Sequence, residues 1–135
     1  MKKTVAFLLA AVLLLGFCAC GNPYVSSYSA IGLVRNNTNR HCSASFQKLD
    51  GVCVFHLKKS DGGEGELYYN ASLEEGEVNV YYDAYGTKEL LFHLTAGESV
   101  EGSGGYIESG KRIYVIVETA ETSKGSVRVS VEKEE

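Results

Sequence analysis

The chain has 135 residues, with 13 Lys and Arg against 17 Asp and Glu, for a formal net charge of −4. That length holds one ordinary domain with no room for a second, and an acidic chain does not seek phosphate backbones, which excludes nucleic acid as the expected partner. Fifteen Gly, one Pro, nine Tyr and no Trp favour short strands joined by glycine turns over a disordered chain.

Lys2 and Lys3 give the chain a positive start, and Val5 to Phe17 is an uninterrupted apolar run. It is shorter than the roughly 20 residues of a spanning helix and has the flanks of an export-signal core. It ends in Phe17-Cys18-Ala19-Cys20-Gly21-Asn22. This ending resembles the lipobox of bacterial lipoproteins, in which an aliphatic residue and two small ones precede a cysteine that receives diacylglycerol. Ala19 is small where cleavage would occur, which favours Cys20, although Phe17 and Cys18 depart from the usual occupants. Cys18 is the competing site, with Leu15-Gly16 before it but a bulky Phe17 adjacent; a plain secretory cut after Ala19 is the other reading.

The resemblance implies a protein outside the cytoplasm, anchored to the bacterial cell membrane by lipid. The expected organisation is a signal over 1–19, a lipidated cysteine and short tether over 20–29, and an all-β domain over 30–135. Without the signal 116 residues remain, 11 of them basic and 17 acidic, a charge of −6. Such a domain is repelled by anionic lipid, so the anchor must do the membrane work.

Along the domain, Ala30 to Val34 reads as a first strand and Arg35 to Arg40 as a polar loop. Cys42 to Lys59 reads as a hairpin about Asp50-Gly51, which sets Cys42 far from Cys53 and weighs against a disulfide. Ser60 to Gly65 is a flexible connection. Glu66 to Leu73 and Glu77 to Tyr82 alternate as two strands about a Glu74-Glu75-Gly76 turn. Glu89 to Leu94 follows, with Leu90, Phe92 and Leu94 on one face. The Gly-rich stretch 99–110 reads as a crossover. Arg112 to Glu118 is apolar on both faces, as in a central strand. Val127, Val129 and Val131 form one face of a last strand, before a charged tail.

The expected fold is a small antiparallel β-sandwich of seven or eight strands, jelly-roll or Greek-key in style, following a helical signal segment. The later half, through Gly76-Glu77-Val78-Asn79-Val80-Tyr81-Tyr82-Asp83, Gly110-Lys111-Arg112-Ile113-Tyr114-Val115 and Gly125-Ser126-Val127-Arg128-Val129, resembles the small jelly-roll sandwiches of secreted bacterial proteins such as pre-peptidase C-terminal domains. No functional residue carries over from that resemblance.

His41, Cys42, Cys53 and His56 are metal-ligating residue types, but Cys53 and His56 lie three apart on a strand and face oppositely, so no metal or cofactor is expected. Nucleophilic cysteine chemistry needs an electropositive pocket that this sequence does not offer. Glu74, Glu75, Glu77 and Asp83 read as a solvated rim, and no catalytic constellation emerges. Tyr68 and Tyr81 are expected on the outward face of neighbouring hairpin strands, meeting as a cross-strand pair and a possible binding face. Asn36-Asn37-Thr38 and Asn70-Ala71-Ser72 match glycosylation acceptors but read as ordinary turn and strand residues. The expected role is a non-enzymatic envelope lipoprotein that binds an envelope protein or surface ligand. A solute- or glycan-capturing lipoprotein and a small anchored hydrolase are the alternatives.

Overall fold

A computed structural model describes residues 24–59 and 63–132. The segment expected to be a signal, with Cys18 and Cys20, and most of the charged tail lie outside the described residues. The described chain is all-β and antiparallel throughout, in seven strands: β1 (Ser27–Ile31), β2 (Val34–Asn37), β3 (His41–Lys58), β4 (Glu64–Asp83), β5 (Glu89–Thr95), β6 (Ser99–Glu108) and β7 (Arg112–Ser130). The path across the sheet is β1-β3-β7-β4-β5, with β2 also on β3 and β6 also on β4.

Three strands set the architecture. β3, β4 and β7 have 18, 20 and 19 residues. Laid flat, 18 residues would run to about 60 Å. Instead Lys58 N–H, at the far end of β3, donates to Asn39 O, just before its start, at 2.8 Å. The long strands therefore double back. The bend coincides with register slips between Phe46 and Val52 on β3 and between Leu73 and Val78 on β4.

Two half-sheets result. The first contains β2, 41–46 of β3, 125–130 of β7, 64–73 of β4, and β6. The second contains β1, 49–58 of β3, 112–118 of β7, 77–83 of β4, and β5. Their inner faces share one core: Phe46, Leu67, Leu73, Ile107 and Val129 from the first, with Phe55, Leu57, Val80, Phe92, Ile113 and Val117 from the second. Tyr69 of one half stacks on Phe92 of the other at 4.7 Å.

Glycine makes the bend possible. A Cβ on Gly76 would run into Ser123 Oγ and come within 2.7 Å of Thr122 O; one on Gly125 would meet Ser72 O. Buried Ser123 ties the same line together. Its hydroxyl accepts from Glu77 N–H at 3.2 Å and donates to Glu121 O at 2.8 Å.

Several expectations are corrected. Asp50-Gly51 is no hairpin turn: β3 runs through it, and those residues pair with Ser29 and Tyr28 of β1. A Cβ on Gly51 would meet Ser27 O and lie 2.7 Å from Tyr28 Cα, so this glycine admits a close strand. Glu74-Glu75-Gly76 bends one strand rather than joining two. The stretch 99–110 is mostly strand β6, where Gly102 and Gly105 leave room for the rings of Tyr69 and Tyr82. The first strand begins earlier than expected, at Ser27. Leu90 is exposed, displaced by a slip between Val80 and Tyr81. The central position of Arg112 to Glu118 is as expected, between β3 and β4.

On one side the fold is sealed by side chains rather than by a strand. Asn37 mimics a peptide group: its Nδ2 donates to His56 O at 2.7 Å and its Oδ1 accepts from His56 N–H at 3.0 Å. Arg35 Nη2 donates to Val54 O at 2.9 Å, and its guanidinium lies over the Phe55 ring at 4.6 Å. An edge with open N–H and C=O groups is thereby capped.

Candidate binding site

The outer face of the first half-sheet is built from alternation. In β7, Val127 and Val129 point into the core, so Ser126 and Arg128 point out. Strand register then places one polar row across five strands: Asn36, Ser43, Arg128, Asn70 and Glu101. A second row runs Val34, Ser45, Ser126, Ser72 and Ser99. Small serines beside longer Asn and Arg side chains leave a groove of about 360 Å³, lined by Val34, Asn36, Ser43, Ser45, Asn70, Ser126 and Arg128. At its edge Ser126 Oγ lies 3.4 Å from Ser72 Oγ, its neighbour in the second row. The groove presents hydroxyl, amide and guanidinium groups on exposed backbone-anchored positions, the chemistry of hydrogen bonding to a polar ligand.

Tyr68 stands in the next row, between Ser130 and Ser103, at the margin of this face. Tyr81 does not meet it. Both tyrosines belong to β4, and the bend between them puts Tyr81 on the outer face of the second half-sheet, opposite Ile116 and Leu90. There Lys88 Nζ sits 4.3 Å from its ring centroid. The expected Tyr68–Tyr81 pair is thus corrected: two segments read as a hairpin are one strand folded over.

The second outer face is covered. Val54 and Ile116 point outward by register, yet they are 6% and 1% exposed and lie outside the main core cluster. The segment before β1 lies at this face. Tyr24 packs on Tyr114 at 5.2 Å and donates to Asp83 Oδ2 at 2.6 Å; Ser26 Oγ accepts from Val54 N–H at 2.8 Å. Asp83, expected on a solvated rim, is buried and also accepts from Gly86 N–H at 2.6 Å. Burial and the Asp83 carboxylate push the Tyr24 phenol up to about 12.

The His/Cys group does not converge. Cys42 and Cys53 are free and buried in the core, while His56 points outward against Tyr114. Burial pushes the Cys42 thiol up to about 12 and raises Cys53 as well, so both are protonated at neutral pH. Desolvation, then Arg112, lowers the His56 pKa. Among the described residues no group of three His, Cys, Asp or Glu side chains is placed to hold a metal ion.

Sequence reasoning passed over most of the groove. The sequence sets Asn36 in a polar loop and Asn70 in a strand, each within an acceptor motif, and nothing in it groups them with Ser43, Ser45 and Arg128. The usable signal was the Ser-Val-Arg-Val-Ser alternation of 126–130, which announces a polar outward face without saying what lies beside it.

No protein-family model matches the chain, and no curated protein does. Solved structures similar to it include a family 29 carbohydrate-binding module complexed with mannohexaose, at 11% identity and TM-score 0.41 over 82% of this chain and 81% of that one. Another is TmCBM61 in complex with β-1,4-galactotriose, at 12% identity and TM-score 0.41 over 84% and 90%. A cupin-2 domain protein from Shewanella frigidimarina has 15% identity and TM-score 0.33 over 86% and 89%. At these values no site residue, ligand or activity is carried to this chain.

Proposed function

We propose that this protein is a lipid-anchored, extracytoplasmic binding module whose ligand is a hydroxyl-rich molecule of the carbohydrate class. The groove on the first outer face carries the reading. It joins Asn36, Ser43, Asn70, Ser126 and Arg128 across four strands in about 360 Å³, a volume near the lower end for small-molecule sites. Paired amides and hydroxyls on a rigid sheet suit vicinal sugar hydroxyls, which both donate and accept. Arg128 beside Asn70 adds a fork of donors for a ring oxygen or carboxylate. Tyr68 at the margin offers a ring for stacking. The anchor rests on the lipobox-like ending at Cys20. Binding through this groove replaces the expected Tyr68–Tyr81 face as the main hypothesis.

The test is calorimetric titration of the purified full chain with neutral and uronic-acid oligosaccharides. Saturable binding, lost in Asn70→Ala/Arg128→Ala and kept in Tyr85→Ala, supports the groove. Absence of binding across the panel, or binding that ignores the double variant, overturns it.

A further inference from the structure

Cys20 and Tyr24 are separated by four peptide links, a reach of at most about 14 Å. Tyr24 is pinned at a definite place: its ring packs, tilted, against Tyr114 and its hydroxyl donates to Asp83. That place is one corner at the open end of the doubled sheet, opposite the glycine bend. Two residues beyond Asp83, Tyr85 stacks on Tyr106 at 6.0 Å, and both rings are about half exposed (48% and 46%). Lys111 Nζ lies 5.4 Å from the Tyr85 ring, and Arg112 is paired with Lys58 by register. Of the carboxylates at the corner, Glu89 accepts from Tyr82 at 2.7 Å, Glu108 accepts from Tyr106 at 3.2 Å, and Glu64 lies beside Tyr106 and Tyr85. The bend end carries more carboxylates: Asp50, Glu74, Glu75, Glu98 and Glu121 are exposed there, with Glu74 paired to Lys124 at 3.0 Å and Glu98 accepting from Thr95 N–H at 2.6 Å.

We propose that the open-end corner of Tyr85, Tyr106, Lys111 and Arg112 rests on the lipid surface, so that the module stands on the bilayer with its acidic bend outermost. This rests on the reading of Cys20 as the lipidated residue. A lipid held within about 14 Å of Tyr24 leaves the corner no distance to retreat. Tyrosine rings favour the headgroup region, and Lys and Arg favour anionic headgroups, whereas a carboxylate-rich end is repelled. The groove, on a lateral face, stays open to solvent from the side.

The experiment places one environment-sensitive thiol probe at Thr87→Cys, in the turn of the corner, or at Glu75→Cys, at the bend. The full chain is expressed with its signal and reconstituted in phosphatidylethanolamine/phosphatidylglycerol vesicles carrying a headgroup spin label. The parent chain labelled in the same way gives the blank: Cys42 and Cys53 are buried, and it accounts for any thiol left free at Cys18 or Cys20. Quenching severalfold stronger at position 87 than at position 75 is expected, and Tyr85→Ala/Tyr106→Ala is expected to weaken it. Equal quenching at both positions, or stronger quenching at 75, overturns the orientation while leaving the anchor intact. Mass spectrometry of the N-terminal peptide separates the two: an unmodified Cys20 overturns the anchoring reading itself.

Discussion

The two outer faces of this doubled sheet come from the same three strands, yet they have opposite characters. On the first, β7 presents Ser126 and Arg128, both exposed and lining a groove. On the second, the same strand presents Tyr114 and Ile116, the latter 1% exposed beneath a face where Tyr24 and Ser26 are fastened. The difference teaches how a small domain divides its labour. One face is left polar, unobstructed and rigid, which suits capture of a ligand. The other receives the chain leading from the proposed anchor and holds it by a buried carboxylate.

The largest effect that would break the comparison is placing a charge on each face in turn. Ile116→Asp buries an unpaired carboxylate and is expected to cost about 4 kcal/mol or more. Ser126→Asp, in the same strand and equally outward by parity, should stay within about 0.5 kcal/mol. Urea unfolding of the two variants measures this directly. Similar losses would mean that the second face is not covered.

Next in size is the carboxylate under the strap. Asp83→Ala strands the Tyr24 hydroxyl and the Gly86 N–H, and should cost about 1–3 kcal/mol. Hydrogen exchange should then rise at Tyr24–Ser26 and at the 84–86 turn, with the amides of the first half-sheet unchanged. Asn37→Ala, which opens the side-chain seal between the faces, should cost about 1–2 kcal/mol and accelerate exchange at His56 N–H.

How much of this was legible beforehand depended on the range of the signal. Alternation over five to eight residues was enough for the all-β class, the buried Val127, Val129 and Val131, and the central place of Ile113 to Val117. It was also enough to separate Cys53 from His56. What alternation does not encode is whether a glycine ends a strand or bends it. Asp50-Gly51 and Glu74-Glu75-Gly76 are locally indistinguishable from turns. In the fold each is decided by a distant neighbour, Tyr28 for Gly51 and Ser123 for Gly76. Gly102 to Gly105 was hidden for the same reason, since the rings that fill the space above these glycines belong to Tyr69 and Tyr82, more than twenty residues away in sequence. The groove inherited those errors. Its rows join β2, β3, β7 and β4 by register, and register is unreadable from a sequence in which each long strand reads as two.

The smallest expected effect concerns pH and sharpens the contrast between the faces. In the folded protein the Tyr24 phenol is raised to about 12, first by burial and then by its bond to Asp83. Because the folded value lies above the unfolded one, the neutral phenol is the form that the fold favours. Its contribution is complete below the ordinary tyrosine value of about 10 and is lost as pH rises through about 12. Tyr24→Phe removes that contribution at every pH. The stability difference between the parent chain and Tyr24→Phe should therefore be flat from neutral pH to about 10 and shrink towards 12. Denaturant melts at stepped alkaline pH test this, because lysines and the other tyrosines titrate in both chains and cancel in the difference. Ligand binding in the groove has no such coupling, since Tyr24 lies on the opposite face. A difference that grows with pH would mean that Tyr24 is held as the phenolate, and the strap would have to be fastened by a cation instead of by Asp83.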